Sequence, residues 1–265
     1  MTTSWAEYRR ARRRSRQAWA VLAVLAVGLV STVCWFFTAG QFAAAEPAAA
    51  GPSEAPVLDS AWMKAVPSVR PVPEGRAVDA LEVLAVKGRA ANDNYERTAF
   101  GQAWLDVDRN GCDTRNDILR RDLDGAQFTE GSRCRVAGGT FHEPYTGAVV
   151  TFARGAESSK AVQIDHVVAL GDAWQKGAQQ LTPQQRQSLA NDPLNLVAAE
   201  GPANQEKSAS DAASWLPKNK AFRCHYVARQ ISVKAAYSLW VTPAEKDAMK
   251  RVLASCPQQQ TVIPR

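Results

Sequence analysis

The stretch between residues 162 and 211 constrains the fold of this 265-residue chain more than any other. It begins V-Q-I-D-H-V-V-A-L, and further on come N-D-P-L-N-L-V-A-A-E and G-P-A-N-Q-E-K-S. The β-branched residues of the first block predict a strand carrying Asp165 and His166. Leu194–Val197 predicts a second short strand carrying Asn195. Gly201-Pro202 then breaks the chain, and Ala203–Ala213 has the composition of a helix. The predicted order is strand, strand, helix.

The two adjacent polar residues of the first strand are expected to do different work. Successive side chains of a strand point to opposite faces, so Asp165 and His166 face different surroundings. An imidazole takes up a proton near neutral pH, and a carboxylate is a good ligand for a hard cation. The pair predicts a site that combines a base with a cation-binding group.

This pattern resembles the HNH (ββα-metal) nucleases, which carry Asp-His on the first strand, Asn on the second, and Asn or His on the helix. Within this superfamily, the chain resembles secreted or membrane-anchored HNH endonuclease-like proteins of actinobacteria, related to the C-terminal domain of GmrSD restriction enzymes. The resemblance runs from about Val78 to Cys256. Its blocks are V-K-G-R-A, F-G-Q-A-W, G-C-D-T-R-N-D-I-L, P-Y-T-G, I-D-H-V-V-A-L, A-N-D-P-L-N-L, N-Q-E-K, W-L-P and R-C-x-Y.

The resemblance implies a role for each polar residue of the pattern. Asp165 and Asn204 match the metal ligands, and His166 matches the general base. Asn195 matches the middle Asn, which is expected to hold the imidazole ring by a hydrogen bond. Lys207 lies three residues beyond Asn204 on the same helix face, where it is expected to contact the phosphate. Oxygen ligands suit Mg²⁺, with Mn²⁺ as the second candidate. Some relatives end the motif with His, which leaves the metal's identity open.

An acidic stretch before the motif allows two interpretations. Asp106, Asp108 and Asn110 match the first half of a calcium loop, and Asp117 stands where its bidentate acid would be. A plain acidic turn is the alternative, favoured by Asp113 at the loop's hydrophobic position. In the family that the chain resembles, this block is a signature in its own right. Its Arg115 is expected to hold a phosphate.

His142 precedes a predicted turn and could be a second imidazole of the site. A lone histidine in such a turn is more often structural.

The N-terminal residues predict a membrane segment. Six arginines and one glutamate within residues 1–17 account for +5 of the formal net charge of +6, so the basic balance says little about nucleic acid. The apolar run that follows is long enough to cross a bilayer, and the arginines are expected to stay cytoplasmic. A signal peptide cleaved near Ala43–Ala45 is the alternative.

The predicted divisions are a basic tail (1–17), a signal anchor (18–39), a disordered linker (40–75), a nuclease domain (76–258) and a C-terminal tail (259–265).

The cysteines indicate an oxidising compartment. One lies in the apolar run, and the other four are an even set that permits three connectivities. Proximity in sequence favours Cys112–Cys134 and Cys224–Cys256. A zinc site of four thiolates is the alternative, although the chain has no C-x-x-C pair.

Further local signals place helices around this core. Leu170–Gly177 predicts a short helix, and Arg223–Leu239 predicts a longer one. Thr182 and Thr242 each precede a proline, with Gln or Glu three residues after the threonine, and so predict helix starts. The expected class is α+β: a ββα-metal core embedded in additional helices and short strands, with disulfides.

Two functions remain open at this level. The first is a metal-dependent endonuclease outside the cytoplasm that cuts DNA, with RNA as a second substrate, at low sequence specificity because no base-reading module is evident. The second is a non-catalytic binding module on the same scaffold, stabilised by calcium.

Overall fold

The computed structural model describes residues 70–155 and 158–263. The predicted basic tail, signal anchor and most of the linker lie outside these residues. Within the described part of the chain, no helix is long and apolar enough to cross a membrane.

Helices and two small antiparallel sheets alternate along the chain, which confirms the α+β class. The helices are α1 (Ala77–Val83), α2 (Thr114–Asp122), α3 (Ser158–Ala161), α4 (Leu170–Gln175), α5 (Pro183–Asn191), α6 (Gly201–Lys207), α7 (Arg223–Ala236) and α8 (Pro243–Leu253). The strands are β1 (Leu123–Phe128), β2 (Val136–His142), β3 (Val149–Ala153), β4 (Val162–His166) and β5 (Leu196–Glu200). Short 3₁₀ helices occupy Arg97–Phe100, Ala178–Gln180 and Lys220–Phe222.

The two-stranded sheet β4–β5 lies between two hydrophobic clusters. Leu196 and Ala198 belong to the cluster formed with α2 and the three-stranded sheet β1–β2–β3. Val197 and Ala199 alternate with them and belong to a cluster formed with α1, α7 and α8. Side chains of a strand point alternately to its two faces, so this sheet is covered on both sides. Helix α6 follows β5 directly and packs on both strands.

The second strand begins later than predicted. The expected strand Leu194–Val197 contained Asn195, whereas β5 starts at Leu196 and leaves Asn195 in the preceding loop. The loop contains Pro193, and Pro193 O and Leu194 O accept hydrogen bonds from arginine side chains. Asn195 O accepts from Val167 N, just beyond the end of β4. Helix α6 also ends earlier than expected, because Ser208 takes a positive φ of 49° at its C-cap.

Both predicted helix starts are confirmed. Thr182 caps α5 and Thr242 caps α8, and each threonine forms a complete capping box with Gln185 or Glu245. These local hydrogen bonds satisfy N–H groups that the first helical turn cannot pair. The predicted helices at Leu170–Gly177 and Arg223–Leu239 are also present, each with an earlier end.

Both predicted disulfides are confirmed. Cys112–Cys134 ties the segment before α2 to the β1–β2 connection, and Cys224–Cys256 joins the start of α7 to the segment after α8. The four thiols are consumed in these bonds, so the zinc alternative is wrong.

The packed domain is wider than the predicted 76–258. Val72, placed in the linker, is buried in a hydrophobic cluster, and Thr261, placed in the C-terminal tail, is also buried. The two ends pair with each other, since Thr261 N donates to Gly75 O and Ala77 N donates to Gln259 O. The composition of the linker predicted disorder, whereas its Val72 packs in the cluster that includes Val233 and Ala236 of α7.

A network of buried charges joins α4, α7, α8 and the segment after α6. The Lys176 ammonium lies 2.6–2.7 Å from carboxylates of Asp172, Asp211 and Glu245. Lys234 contacts Glu245, and Arg89 reaches Asp172 and Asp211 from the N-terminal side. Two buried ammonium groups and the 39% exposed Arg89 thus balance three buried carboxylates, since buried charges need partners of opposite sign.

The loop before β5 is held by two guanidinium groups. Arg121 donates to Pro193 O and Leu196 O, and buried Arg229 donates to the same two carbonyls and to Leu194 O. These bonds satisfy backbone oxygens that would otherwise be buried without a partner. They fix the loop that carries Asn195.

Asp192 opens this loop and is buried. Its carboxylate accepts from Tyr237 Oη and from Leu194 N. Burial raises the pKa of Asp192 to about 7, although these hydrogen bonds and the charges of Arg229 and Arg121 act in the opposite direction. The folded protein therefore holds this proton more tightly than the unfolded chain does.

We predict that Asp192 makes the protein less stable as pH rises from about 4 to about 7, because its folded pKa lies above its unfolded one. The contribution is a few kcal/mol, at about 1.4 kcal/mol per pKa unit. In Asp192→Asn, urea unfolding measured across this range should lose that part of the pH dependence. Asp247→Asn, at an exposed position of α8, should keep the wild-type profile. Identical profiles for Asp192→Asn and wild type would show that this carboxyl does not titrate there.

Candidate active site

A cavity of about 300 Å³ lies at the end of β4. Residues from four parts of the chain line it, among them Tyr95, Arg97, Asp165, His166, Gly171 and Asn204. Three of the residues singled out from the sequence therefore meet in one place: Asp165, His166 and Asn204. Asn195, Lys207 and Arg115 do not line this cavity.

Two buried side chains, Tyr145 and Lys207, hold the Asp165 carboxylate. Tyr145 Oη donates to Oδ2 at 2.7 Å. The Lys207 ammonium lies 3.1 Å from Oδ1 and 3.0 Å from Oδ2. Burial raises the pKa of Tyr145, so its hydroxyl stays protonated and remains a donor. Both oxygens of the carboxylate are thereby bonded to the protein.

Lys207 does not have the position expected for a phosphate-binding residue. Its side chain is completely buried, and Nζ also donates to His166 O at 2.8 Å. The three donors of an ammonium group are accounted for by Asp165 and this carbonyl. Helical spacing from Asn204 was the basis of the expectation, but this part of the helix face points into the protein.

The His166 ring is oriented by a backbone carbonyl. Nε2 lies 2.8 Å from Ala190 O, and the ring is almost completely buried. Burial lowers the pKa of His166 to about 4, and the charges of Arg97 and Lys207 act in the same direction. The imidazole is therefore neutral at pH 7. Because a carbonyl oxygen only accepts, the ring proton lies on Nε2 and Nδ1 keeps its lone pair.

Asn195 acts on this ring only indirectly, which corrects the expected direct hydrogen bond. Its Oδ1 accepts from Val168 N at 2.8 Å, and Nδ2 donates to Val168 O and Leu189 O. The amide thus ties the segment after β4 to the end of α5. The neighbouring residue of α5, Ala190, supplies the carbonyl that binds the His166 ring.

Asn204 presents its amide to the cavity. Nδ2 donates to Gln163 Oε1 at 2.8 Å, and among the residues that the structure describes none donates to Oδ1. The oxygens that could hold a cation are therefore those of Asp165 and Asn204. Over residues 70–155 and 158–263, no group of three or more His, Cys, Asp or Glu side chains is arranged to hold a metal ion. The donors fit a hard ion that keeps several waters, as Mg²⁺ does, and do not fit zinc.

Arg115 lies away from the cavity. Its guanidinium donates to Val162 O at 3.2 Å and lies over the Trp104 ring. Burial lowers the pKa of Arg115. The group supports the beginning of β4, so the structure does not place it for the expected phosphate contact.

The acidic stretch forms a turn that satisfies its own backbone. Asp106 and Asp108 accept from Asn110 N, Asp106 also accepts from Gly111 N, and Asn110 Nδ2 donates to Asp117. Asp113 caps α2 through Asn116 N. Since the described residues contain no metal-binding cluster of acids, the structure favours the acidic turn over the calcium loop.

His142 is also remote from the cavity. It is 62% exposed at the end of β2 and pairs with Asp124 at 3.1 Å. This position agrees with the structural interpretation and not with a second imidazole of the site.

Tyr95, Arg97 and Tyr145 were not identified from the sequence as site residues. Tyr145 stands in the P-Y-T-G block, and Arg97 stands three residues before the F-G-Q-A-W block. No local pattern marks these three residues as site residues, because tertiary packing brings them to the cavity or to Asp165.

Comparison with known proteins places the chain in a family. Residues 113–252, just over half of the chain, match the family described as GmrSD restriction endonucleases, C-terminal domain. The chain belongs to this family. The GmrSD C-terminal domain match includes β4, β5 and α6, whereas Tyr95 and Arg97 lie before it. A relative from Arthroderma benhamiae, named as an uncharacterized secreted protein, is 37% identical over 207 residues, which is 76% of this chain and 97% of that protein. No solved structure matches the chain.

We predict that Lys207→Met destabilises this GmrSD C-terminal domain protein by about 3–5 kcal/mol, because it leaves the Asp165 charge buried without its cation. The double variant Asp165→Asn/Lys207→Met should regain part of the loss. Lys218→Met removes the exposed ion pair with Glu206 and should cost less than about 1 kcal/mol. Urea unfolding measures all three variants, and equal costs for the two lysines would contradict the assigned role of Lys207.

Proposed function

We propose that this protein is an HNH-type endonuclease that hydrolyses phosphodiester bonds of DNA, and secondarily of RNA, with low sequence specificity. The observation that carries the proposal is the convergence of Asp165, His166 and Asn204 on one cavity. The family's name points to nucleases, and the order of strand, strand and helix agrees with the HNH pattern.

His166 is the general base in this proposal. Its Nδ1 takes a proton from the attacking water. The Nε2 proton stays on the ring and is donated to Ala190 O, and this hydrogen bond stabilises the imidazolium that forms. A ring with a pKa of about 4 is unprotonated at neutral pH but is a weak base. A phosphodiester anion in the cavity favours the imidazolium by its charge and so strengthens the base when substrate is bound.

Asp165 and Asn204 are the residues that would hold a divalent cation, with Mg²⁺ first and Mn²⁺ second. When bound, such an ion neutralises charge on the phosphate and on the departing oxygen. Lys207 already lies against the Asp165 carboxylate. The two protein oxygens are therefore expected to bind the ion weakly alone and more tightly together with a phosphate oxygen.

The proposed location is outside the cytoplasm, either anchored to the membrane by residues 18–39 or released. Two disulfides require an oxidising compartment. The Arthroderma benhamiae relative is named as a secreted protein.

A non-catalytic binding module is the second candidate, and one observation favours it. Both Asp165 oxygens already receive hydrogen bonds from the protein. A carboxylate satisfied in this way can serve as a purely structural group.

Plasmid nicking separates the two candidates. We predict that the full-length protein nicks supercoiled plasmid with Mg²⁺ or Mn²⁺ and not with EDTA. His166→Ala should lower the rate by about 10²–10⁴, the usual contribution of a general base. His142→Ala removes an exposed imidazole outside the cavity and should leave the rate unchanged. If wild type and His166→Ala nick alike, or neither nicks, the binding module is the better description.

A further inference from the structure

One wall of the cavity comes from a segment outside the family match. This segment, residues 95–101, includes the 3₁₀ helix Arg97–Phe100. It contributes Tyr95 and Arg97 to the cavity that residues of β4 and α6 also line.

Arg97 is the one permanent cation among the described residues that line the cavity. Its side chain is exposed, and within the described part of the chain no hydrogen bond or ion pair engages its guanidinium. The adjacent carboxylate of Glu96 accepts instead from Thr98 Oγ1. The guanidinium is therefore available for a ligand.

The other two cations expected near the phosphate are committed elsewhere. Lys207 is buried against Asp165 and His166 O, and Arg115 is bonded to Val162 O. A phosphodiester that reaches His166 would thus meet no free positive side chain except Arg97 among the described lining residues.

The segment that carries Arg97 is firmly seated. Phe100 is buried and packs against Tyr95 and Trp174, with ring centroids 6.4 Å and 6.1 Å away. Arg186 Nε of α5 donates to Ala99 O at 2.8 Å. Gly101 has a φ of 74° and lies so close to Gln187 that an added Cβ would be 2.7 Å from that side chain. A fixed backbone lowers the entropy lost when Arg97 binds an anion.

We infer that Arg97 binds a phosphate of the nucleic-acid substrate beside His166. The inference rests on the proposed function and names a specific substrate contact within it. A guanidinium presents parallel N–H donors that match two phosphate oxygens, and a lysine ammonium cannot reproduce this geometry.

Binding tests the inference without catalysis. A short, labelled, single-stranded DNA oligonucleotide is titrated with full-length protein in EDTA at several salt concentrations. In Arg97→Ala, the slope of log K against log salt should fall by about 0.7, the value for one lost contact to single-stranded DNA. Arg251→Ala removes an equal charge from an exposed position of α8 outside the cavity and should leave the slope unchanged. An unchanged slope in Arg97→Ala, or no binding by wild type, overturns the inference.

The rate of plasmid nicking is the second test of the Arg97 contact. Arg97→Ala should lower kcat/KM for plasmid nicking about 10- to 100-fold, since hydrogen bonds to charged groups are the stronger ones. Arg97→Lys should regain only part of this loss, and Arg251→Ala should match wild type. An unchanged Tm for Arg97→Ala shows that the fold is intact.

If wild type binds DNA through Arg97 but does not nick it, the endonuclease proposal fails and the Arg97 contact stands. If wild type nicks and Arg97→Ala nicks equally well, the Arg97 contact fails and the endonuclease proposal stands.

Discussion

The buried contact between Lys207 and Asp165 is the interaction on which the geometry of the cavity depends. It joins the end of α6 to the end of β4, and Tyr145 adds a hydrogen bond from the turn after β2. Removing two charges from water costs several kcal/mol for each ion, which only close pairing and further hydrogen bonds offset. Lys207 Nζ provides both the close pairing with Asp165 and a further hydrogen bond, which it donates to His166 O. One ammonium group thus fixes the carboxylate and the backbone of the neighbouring imidazole.

The different environments of Asp165 and His166 follow from strand geometry. Asp165 is paired with Val197 and His166 with Leu196, so the two side chains leave β4 on opposite faces. On one face lie Tyr145 and Lys207, which donate hydrogen bonds to the Asp165 oxygens. On the other lies Ala190 O, and burial there favours a neutral ring. A carboxylate and an unprotonated imidazole can therefore border the same cavity without forming a direct ion pair.

Local sequence signals were sufficient wherever a structure is decided by neighbours in the chain. The capping threonines, the β-branched residues of β4 and the cysteine pairs nearest in sequence all lead to observed structure. The failures concern contacts between distant residues. Spacing put Lys207 on the same helix face as Asn204, but only packing shows that it points inward. A backbone carbonyl such as Ala190 O has no sequence signature. The sequence therefore predicted that Asn195 holds the His166 ring, a role that Ala190 O has in the structure.

Residues before the GmrSD match, among them Arg97, pack against the matched region. The packed structure is therefore larger than residues 113–252. A chain limited to residues 113–252 would lack Phe100, whose ring completes the cluster around Trp174, and Val72, which lies in the same cluster. It would also lack Arg89, which contacts both Asp172 and Asp211 inside the buried charge network. Asp172 and Asp211 would then lose the Arg89 guanidinium. The apolar surface around Trp174 would also become exposed, and its burial contributes to stability. Residues 70–112 therefore pack in the same structure as the matched region, and the cavity wall that they form is held by the Phe100 cluster and by the Arg186 hydrogen bond to Ala99 O.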